Sequence, residues 1–242
     1  MKLKYRVARI PKGDGRFREI YIASNEDNLR LRSLIPELDE ILLNNDKYKV
    51  NYAFQKGKNC ALNALQHIGY RYTLSMDLEN FFDSVSPKHV IKIIPNRIIK
   101  QCFVNGNPKQ GLPTSPIVST IALLQTDEKI VEQLAKLNIT AVYTRYADDL
   151  IFSFNDFKDT GKIQFVVRKI IEQRGFKINN KKTQLQDSNN GRIVITGIAV
   201  DEMGLHPTRH TKKKIRAASH QKNQDSMRGL NEWSKCKLPN DF

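Results

Sequence analysis

The fold of this chain is organised around one stretch, Tyr143-Thr144-Arg145-Tyr146-Ala147-Asp148-Asp149-Leu150-Ile151-Phe152-Ser153. Strand-forming residues stand on both sides of a short polar turn, and this pattern predicts a β-hairpin. The turn carries two adjacent aspartates, whose like charges repel each other unless a cation compensates them. Hard carboxylate oxygens suit Mg²⁺. Because Asp-Asp is also an ordinary turn sequence, the rest of the chain must decide between a metal site and a solvated turn.

The overall composition narrows the class of protein. The chain has 242 residues, which is enough for one large domain or two small ones. Its formal charge of +15 at pH 7 is high for a metabolic enzyme and predicts a polyanionic partner. We see no apolar run long enough to cross a bilayer, no signal-peptide pattern and no metal or redox motif among the three cysteines. We therefore expect a cytoplasmic protein with no membrane partner.

An N-terminal hairpin is predicted from the alternation of polar and apolar residues at 5–10 and 16–22, with a turn at Asp14-Gly15. Lys12 and Arg18 lie near its tip, where cations can hold a triphosphate or a nucleic-acid backbone. A solvated edge hairpin is the alternative interpretation.

Helical spacing of apolar residues predicts most of the remaining elements. The expected helices run from Ser24 or Asn25 through an apolar stripe to Leu42, from Asn59 to about Ile68, from Ser86-Pro87 to about Gln101, over roughly 115–136, and around 163–171 before Gly175. A buried strand is expected at 72–76, and a strand pair is expected after 183, in which residues 193–200 lead to a turn at 201–204. Asp77 stands at the end of the first of these strands, where a rigid element would hold its carboxylate as metal chemistry requires.

The C-terminal part of the chain is strongly basic. Its cations crowd one short stretch: Arg209, Lys212, Lys213, Lys214 and Arg216. A basic helix near an aromatic residue, here Trp233, has the composition of a nucleic-acid contact. A solvated helix face is the alternative.

Taken in order, these pieces resemble the palm of a reverse transcriptase. The resemblance is carried by Asp77, by Gln110-Gly111-Leu112-Pro113-Thr114-Ser115-Pro116, and by Tyr146-Ala147-Asp148-Asp149. The N-terminal hairpin is similar to that family's fingers, and Lys181-Lys182-Thr183 to its later lysine-bearing motif. Two further elements resemble those of retron reverse transcriptases: Asn63-Ala64-Leu65-Gln66-His67, and Ile195-Thr196-Gly197, with Ile in place of the usual Val.

The resemblance implies an α+β fold of the right-hand polymerase type. Fingers and a palm, whose antiparallel sheet packs on helices, are expected beside a short, basic, mostly helical thumb. The implied domains are fingers at 1–70, with 86–112 partly fingers, palm at 71–85 and 113–204, and thumb at 205–242.

The resemblance also implies roles for individual residues. Asp77, Asp148, Asp149 and the Leu78 carbonyl would hold two Mg²⁺ ions, with Mn²⁺ as an alternative. Lys182, or equally Lys181, would give a proton to pyrophosphate. The dNTP site would comprise Lys12, Arg18, Phe82 as a steric gate against ribonucleotides, Gln110 and Gly111. Nucleic-acid contacts would come from Asn63, His67, Tyr146, Thr196, Gly197, Arg209, Lys212, Lys213, Lys214 and Arg216.

The function implied is an RNA-directed DNA polymerase of retron type that acts in anti-phage defence. Its partners would be a structured non-coding RNA template, the cDNA made on it, dNTPs and an effector or toxin protein. Two alternatives stay open: a template-independent or protein-primed DNA polymerase of the same fold, and a non-catalytic RNA-binding subunit. Three intact aspartates argue against the second, because a pure binder has no need of carboxylates near phosphates.

Overall fold

The computed structural model describes residues 3–12, 15 and 17–239 and contains both helices and antiparallel sheets. The strands are β1 (Tyr5–Pro11), β2 (Phe17–Ala23), β3 (Tyr72–Leu78), β4 (Ala141–Tyr146), β5 (Asp149–Phe154), β6 (Ile178–Asp187), β7 (Ile193–Ile195), β8 (Ile198–Asp201) and β9 (Gly204–Pro207). The helices are α1 (Asn25–Arg32), α2 (Ile35–Asn45), α3 (Cys60–Leu65), α4 (Phe81–Ser84), α5 (Asn96–Cys102), α6 (Ser115–Lys136), α7 (Asp159–Gln173), α8 (Arg209–His220) and α9 (Gln224–Ser234). The α+β class expected from the sequence is confirmed. In this described part, no helix has the length and apolarity needed to cross a membrane.

The chain divides into two compact units. Unit 1 comprises Met1–Lys49, Leu78–Gln133 and Val166–Ile178, and unit 2 comprises Val50–Asp77, Leu134–Phe165 and Asn179–Phe242. Each unit is therefore assembled from segments that are distant in sequence. The predicted boundaries of fingers, palm and thumb stay predictions, because the two units are defined by internal contacts and not by function.

Unit 2 is built on a four-stranded sheet with the strand order β4-β5-β3-β6. The β4–β5 and β3–β5 pairs are antiparallel. Side chains alternate between the two faces of a strand, and here the alternation separates two chemistries. One face carries apolar residues such as Leu74, Met76, Phe152 and Phe154, which are almost completely buried. The opposite face carries the polar residues of the same strands, so the sheet presents them together.

A second, three-stranded sheet in unit 2 packs beside α3. Strands β7 and β8 are joined by a two-residue turn, Thr196-Gly197, in which both residues have positive φ, 46° and 82°. This is the backbone of a type I′ hairpin turn. The apolar cluster between this sheet, α3 and β5 consists of Ala61, Ala64, Ile151, Ile193, Ile195, Ile198, Val200 and Cys236. Strand β9 then leads into the basic helix α8.

In unit 1, β1 and β2 form the predicted N-terminal hairpin, in a register that pairs Tyr5 with Ala23 and Pro11 with Phe17. The predicted turn residue Asp14 lies outside the described residues. The Tyr21 amide donates to the Gln110 carbonyl at 2.7 Å. The loop that contains Gln110 and Gly111 is thus held against the backbone of β2.

Two predicted helices are broken in the structure. Ser24 caps α1 as expected, with its hydroxyl accepting from the Asp27 amide, but the helix stops at Arg32 and α2 begins at Ile35. Pro36 lies in the first turn of α2, and its missing N–H could not have continued a helix from α1. Pro95 has the same effect: a short 3₁₀ turn at Pro87–His89 and the separate helix α5 replace the single helix predicted there.

We expect Gly111→Ala to destabilise the protein by about 2–4 kcal/mol. Gly111 has φ +101°, and an added Cβ would lie 2.6 Å from the Tyr21 carbonyl oxygen. Gly106→Ala is the matched control, because Gly106 also has positive φ, +84°, but its Cβ would meet nothing within 4 Å. Urea denaturation of both variants separates the clash from the backbone strain. Equal losses of stability would show that the close approach of Gly111 to β2 does not matter.

Candidate active site

Asp77 and Asp149 face each other across two neighbouring strands. Asp77 lies near the end of β3, Asp149 is the first residue of β5, and the register pairs them directly. Directly opposed residues in an antiparallel pair have Cα atoms about 4.5–5.5 Å apart and side chains on the same face. The two carboxylates are therefore brought together by the sheet itself. Asp77 is only 8% exposed.

Asp148 is added to this pair by the hairpin turn. The turn between β4 and β5 has two central residues, Ala147 and Asp148, and Ala147 has φ 56°. A non-glycine residue in this left-handed region is strained, and such strain concentrates at functional sites. The side chain of Arg145, which is fully buried, donates from Nη1 to the Ala147 carbonyl at 3.3 Å. The buried guanidinium of Arg145 therefore helps to hold the strained Ala147 peptide in this conformation.

The carboxylates repel one another in this arrangement. Burial, and then the charges of Asp148 and Asp77, raise the pKa of Asp149 to about 6, and Lys182 opposes that shift. Lys182 on β6 donates from Nζ to Asp77 Oδ1 at 2.8 Å, and this hydrogen bond raises the pKa of the lysine. Side chains alternate along β6, so Lys181 and Lys182 point to opposite faces, and it is Lys182 that reaches the carboxylates.

The donor chemistry of this cluster fits a divalent cation. Within the described residues, no group of three or more His, Cys, Asp or Glu side chains lies in an arrangement that could hold a metal ion as it stands. The three aspartates nevertheless supply ionised oxygens, the ligands that Mg²⁺ and Mn²⁺ prefer. Burial and then the neighbouring carboxylates raise the pKa of Asp149, and a bound cation would favour its ionised form.

A buried polar cluster lies on the same face of the sheet, behind the carboxylates. We call it the strand clamp; it consists of His67, Thr73, Thr144 and Ser153. His67 Nδ1 lies 2.8 Å from Ser153 Oγ, His67 Nε2 lies 2.6 Å from Thr144 Oγ1, and Ser153 Oγ lies 2.7 Å from Thr73 Oγ1. Burial lowers the pKa of His67 to about 3, so the imidazole is neutral.

The predicted dNTP residues all belong to unit 1. Lys12 follows β1 and Arg18 lies in β2, and both are exposed. Phe82 is in α4, where its ring lies 5.5 Å from that of Phe81. Gln110 and Gly111 form the loop held against β2. Leu78, the predicted carbonyl ligand, ends β3 and is buried.

The predicted nucleic-acid residues fall into four groups. Those of α8 are exposed, namely Arg209, Lys212, Lys213, Lys214 and Arg216. Thr196 and Gly197 form the β7–β8 turn, where the Trp233 ring lies 3.4 Å from the position of a Gly197 Cβ. Tyr146 is half-buried beside Asp149, and burial raises its pKa.

The fourth group, Asn63 and His67, corrects the sequence-based expectation of a nucleic-acid contact. Asn63 is 0% exposed and His67 is 1% exposed. Direct contact with nucleic acid is not available to side chains enclosed in this way. His67 bonds the strands instead, and neither amide atom of Asn63 has a hydrogen-bond partner within the described part of the protein.

Four residues of this region were not predicted from the sequence: Thr73, Thr144, Ser153 and Arg145. A signal was present for the hydroxyl residues, because Thr73 and Asp77 occupy alternate positions of an otherwise apolar strand and so share a face. Arg145 carried no such signal, since an arginine in a strand is ordinarily solvated.

We expect the strand clamp to make stability depend on pH. The unfolded imidazole takes up a proton below about pH 6.5 and the folded one does not, so this contribution is complete above pH 6.5 and is lost as the pH falls towards 3. Between pH 7 and pH 5 the loss through His67 amounts to about 2 kcal/mol.

Chemical denaturation of the wild type and of His67→Gln at both pH values gives the measurement. The variant is less stable at pH 7 but lacks this part of the pH dependence. The shift of His89, whose pKa burial also lowers, is common to both proteins and cancels. Parallel pH profiles would contradict a neutral His67.

We also expect Asp149→Asn to stabilise the metal-free protein. The folded pKa of Asp149 is raised to about 6 from the ordinary 3.8, so the ionised carboxylate opposes folding at higher pH. Removing it should raise the free energy of unfolding at pH 8 by about 1–3 kcal/mol. Denaturation in the presence of a chelator measures this, with the exposed Glu202→Gln as control. A loss of stability would contradict the repulsion described above.

Known proteins are similar to this chain in sequence over most of its length. The profile of the family described as reverse transcriptase (RNA-dependent DNA polymerase) matches residues 10–221. The retron Ec86 reverse transcriptase of Escherichia coli is 30% identical over 90% of this chain and 69% of its own length. The retron Mx65 reverse transcriptase of Myxococcus xanthus is 28% identical over 70% of this chain and 45% of its own length.

Solved structures show the same fold at lower identity. A telomerase from Candida albicans, solved with a fragment of telomeric RNA, superposes with a TM-score of 0.60 at 15% identity and covers 84% of this chain. A foamy viral protease-reverse transcriptase, solved with double-stranded DNA, gives a TM-score of 0.54 at 19% identity over 88% of this chain. The chain spans 45% and 32% of those proteins, respectively. The polymerase fold, the paired aspartates and the family match together show that this chain belongs to the reverse transcriptase family and, within it, to the retron type.

Proposed function

We propose that this protein extends DNA on an RNA template, with Asp77, Asp148 and Asp149 as the metal-binding residues. The observation that carries the proposal is the direct pairing of Asp77 with Asp149 beside the strained Ala147-Asp148 turn. Membership of the reverse transcriptase family implies dependence on a divalent metal, and we propose Mg²⁺, with Mn²⁺ as an alternative. When bound, two such ions stabilise both the attacking and the leaving oxygen of an in-line phosphoryl displacement.

The protein's own groups would prepare the reactants and handle the proton. Lys182 lies within hydrogen-bond distance of Asp77, and release from that ion pair would leave its ammonium able to donate a proton to the departing pyrophosphate. General acid assistance of this kind contributes about 10²–10⁴-fold.

The dNTP pocket is proposed from the family resemblance. Lys12 and Arg18 would hold the triphosphate, and Gln110 with Gly111 would line the pocket. The Phe82 ring would exclude the ribose 2′-hydroxyl, which is discrimination by steric conflict. The close approach of Gly111 to β2 supports a rigid loop at this position.

The nucleic-acid surface is proposed on α8 and the β7–β8 turn. The helix presents a row of exposed cations, and an RNA–DNA duplex is recognised mainly through its phosphates and 2′-hydroxyls. Tyr146, beside Asp149, would meet the end of the primer. The partners would be a structured non-coding RNA and its cDNA, and the biological role would be anti-phage defence.

An extension assay tests the function. Purified protein is incubated with Mg²⁺, dNTPs and poly-rA/oligo-dT, with and without template. We expect template-dependent extension, and a fall of at least about 10²–10³-fold in the Asp148→Asn, Asp149→Asn double variant, because charge stabilisation in the transition state is lost. Extension without template would favour the template-independent alternative. No extension of any substrate or co-purifying RNA would favour the RNA-binding subunit.

We expect RNA affinity to fall with salt through contacts of α8. Changing Lys212, Lys213 and Lys214 together to Gln should reduce the slope of log K against log salt by up to about 2–3, because each lost phosphate contact removes about 0.7–0.9. The matched control changes Lys129 and Lys136, exposed on α6, to Gln. Filter binding at 50–300 mM salt measures both slopes. Equal slopes in the two variants would contradict the assignment of α8.

A further inference from the structure

The strand clamp links β3, β4 and β5 through side chains and so can fix the spacing of these strands. Each of the strands β3, β4 and β5 contributes one hydroxyl residue, and His67 binds two of these directly while Ser153 reaches the third. One imidazole therefore links three adjacent strands through side chains, in addition to their backbone ladders. The two nitrogens of a neutral imidazole provide one donor and one acceptor, so the links are directional.

The clamp lies on the face that carries the carboxylates. Thr73 and Asp77 are four residues apart on β3, and Ser153 and Asp149 are four residues apart on β5, so the clamp pair and the carboxylate pair share one face. A slip of one residue between these strands would move Asp149 to the opposite face. Holding Thr73 to Ser153 through their side chains opposes that slip.

The helix that delivers His67 is itself fixed at its other end. Asn59, its N-terminal cap, donates from Nδ2 to the Lys237 carbonyl at 2.9 Å, and the Thr196 hydroxyl donates to the Cys60 carbonyl at 3.3 Å. Ala61 and Ala64 pack into the apolar cluster with Ile151 of β5. The imidazole therefore has little freedom to move without the sheet.

A purely structural role is the simpler alternative, because buried polar networks also rigidify cores that perform no chemistry. Two features favour a link to the active site. The clamp joins the two strands that bear the opposed carboxylates, and those carboxylates repel each other. A sheet that must hold repelling groups at a set distance needs bonds that resist spreading.

We propose that His67 is a positioning residue for nucleotidyl transfer, which sets the spacing of Asp77 and Asp149 through Thr73, Thr144 and Ser153. This rests on the proposed function of the aspartates. It assigns the Asn63–His67 element an internal task in place of a contact with RNA. A misplacement of about 1 Å in reacting groups can lower a rate about 10²-fold.

The test removes the hydrogen bonds of the strand clamp by substitutions that keep the side-chain volume similar. The variants are His67→Phe, Thr144→Val, their double variant, and His67→Gln as the conservative replacement. His89→Phe is the matched control, since His89 is also a buried histidine with two hydrogen-bonding nitrogens but bonds Ser86 and Arg174 in unit 1. Each protein is measured for kcat, for KM of dNTP, for the divalent cation concentration giving half-maximal rate, and for RNA affinity.

We expect His67→Phe to lower kcat by about 10–100-fold while KM for dNTP and RNA affinity change by less than about twofold. The cation requirement should rise, His67→Gln should recover part of kcat, and the double variant should lose less than the product of the single effects. His89→Phe should lose thermal stability and retain kcat. If His67→Phe does not fold, Thr144→Val and Ser153→Ala are tested for the same loss of kcat.

Several results would overturn the proposal. These are an unchanged kcat in folded His67→Phe, a loss confined to RNA affinity, or an equal loss of kcat in His89→Phe at equal thermal stability. Hydrogen exchange of the amides at 149–153 provides a readout that does not need activity, and it should accelerate in His67→Phe. Faster exchange without wild-type polymerase activity would mean that the proposed function has failed and the clamp has not, whereas unchanged exchange would overturn the clamp.

Discussion

Two carboxylates directly opposed across adjacent antiparallel strands are the constraint on which the rest of unit 2 depends. Asp77 and Asp149 are held as a pair by the register of β3 and β5, although burial and the neighbouring carboxylates disfavour the ionised form of Asp149. The apolar face of the same sheet, with Leu74, Phe152 and Phe154 buried, supplies the packing that offsets this repulsion. The carboxylates on one face of the sheet thus lower the stability, and the buried apolar residues on the other face offset that loss. Such a trade is common where a site must hold charge for a ligand.

The backbone of the β4–β5 turn is also held in an unfavourable conformation that other contacts stabilise. Ala147 is held at positive φ, so that Asp148 follows in the turn and Asp149 starts the strand. A glycine would adopt this conformation without strain. The buried guanidinium of Arg145, bonded to the Ala147 carbonyl, is one interaction that holds the strained form in place.

Helix α3 and the β7–β8 turn are far apart in the chain but bonded to each other in the fold. The Thr196 hydroxyl bonds the Cys60 carbonyl, so the β7–β8 turn is tied to the first turn of the helix whose other end delivers His67 to the strands. Strand β9 continues from this region into the basic helix α8. A continuous set of packed elements in unit 2 therefore connects the proposed nucleic-acid surface with the carboxylates.

The family and the fold class followed from the sequence alone, because they depend on local patterns and on the order of short motifs. The same patterns, alternation around the Asp-Asp turn and a carboxylate at a strand end, predict the three aspartates as the site, and that role stays a prediction. The sequence also determined the strong positive charge and the extent of α6. Tertiary structure decided the rest. It placed Lys182 rather than Lys181 on Asp77, and it buried Asn63 and His67. Strand register and burial arise from contacts between residues distant in the chain, so no local pattern could have revealed them.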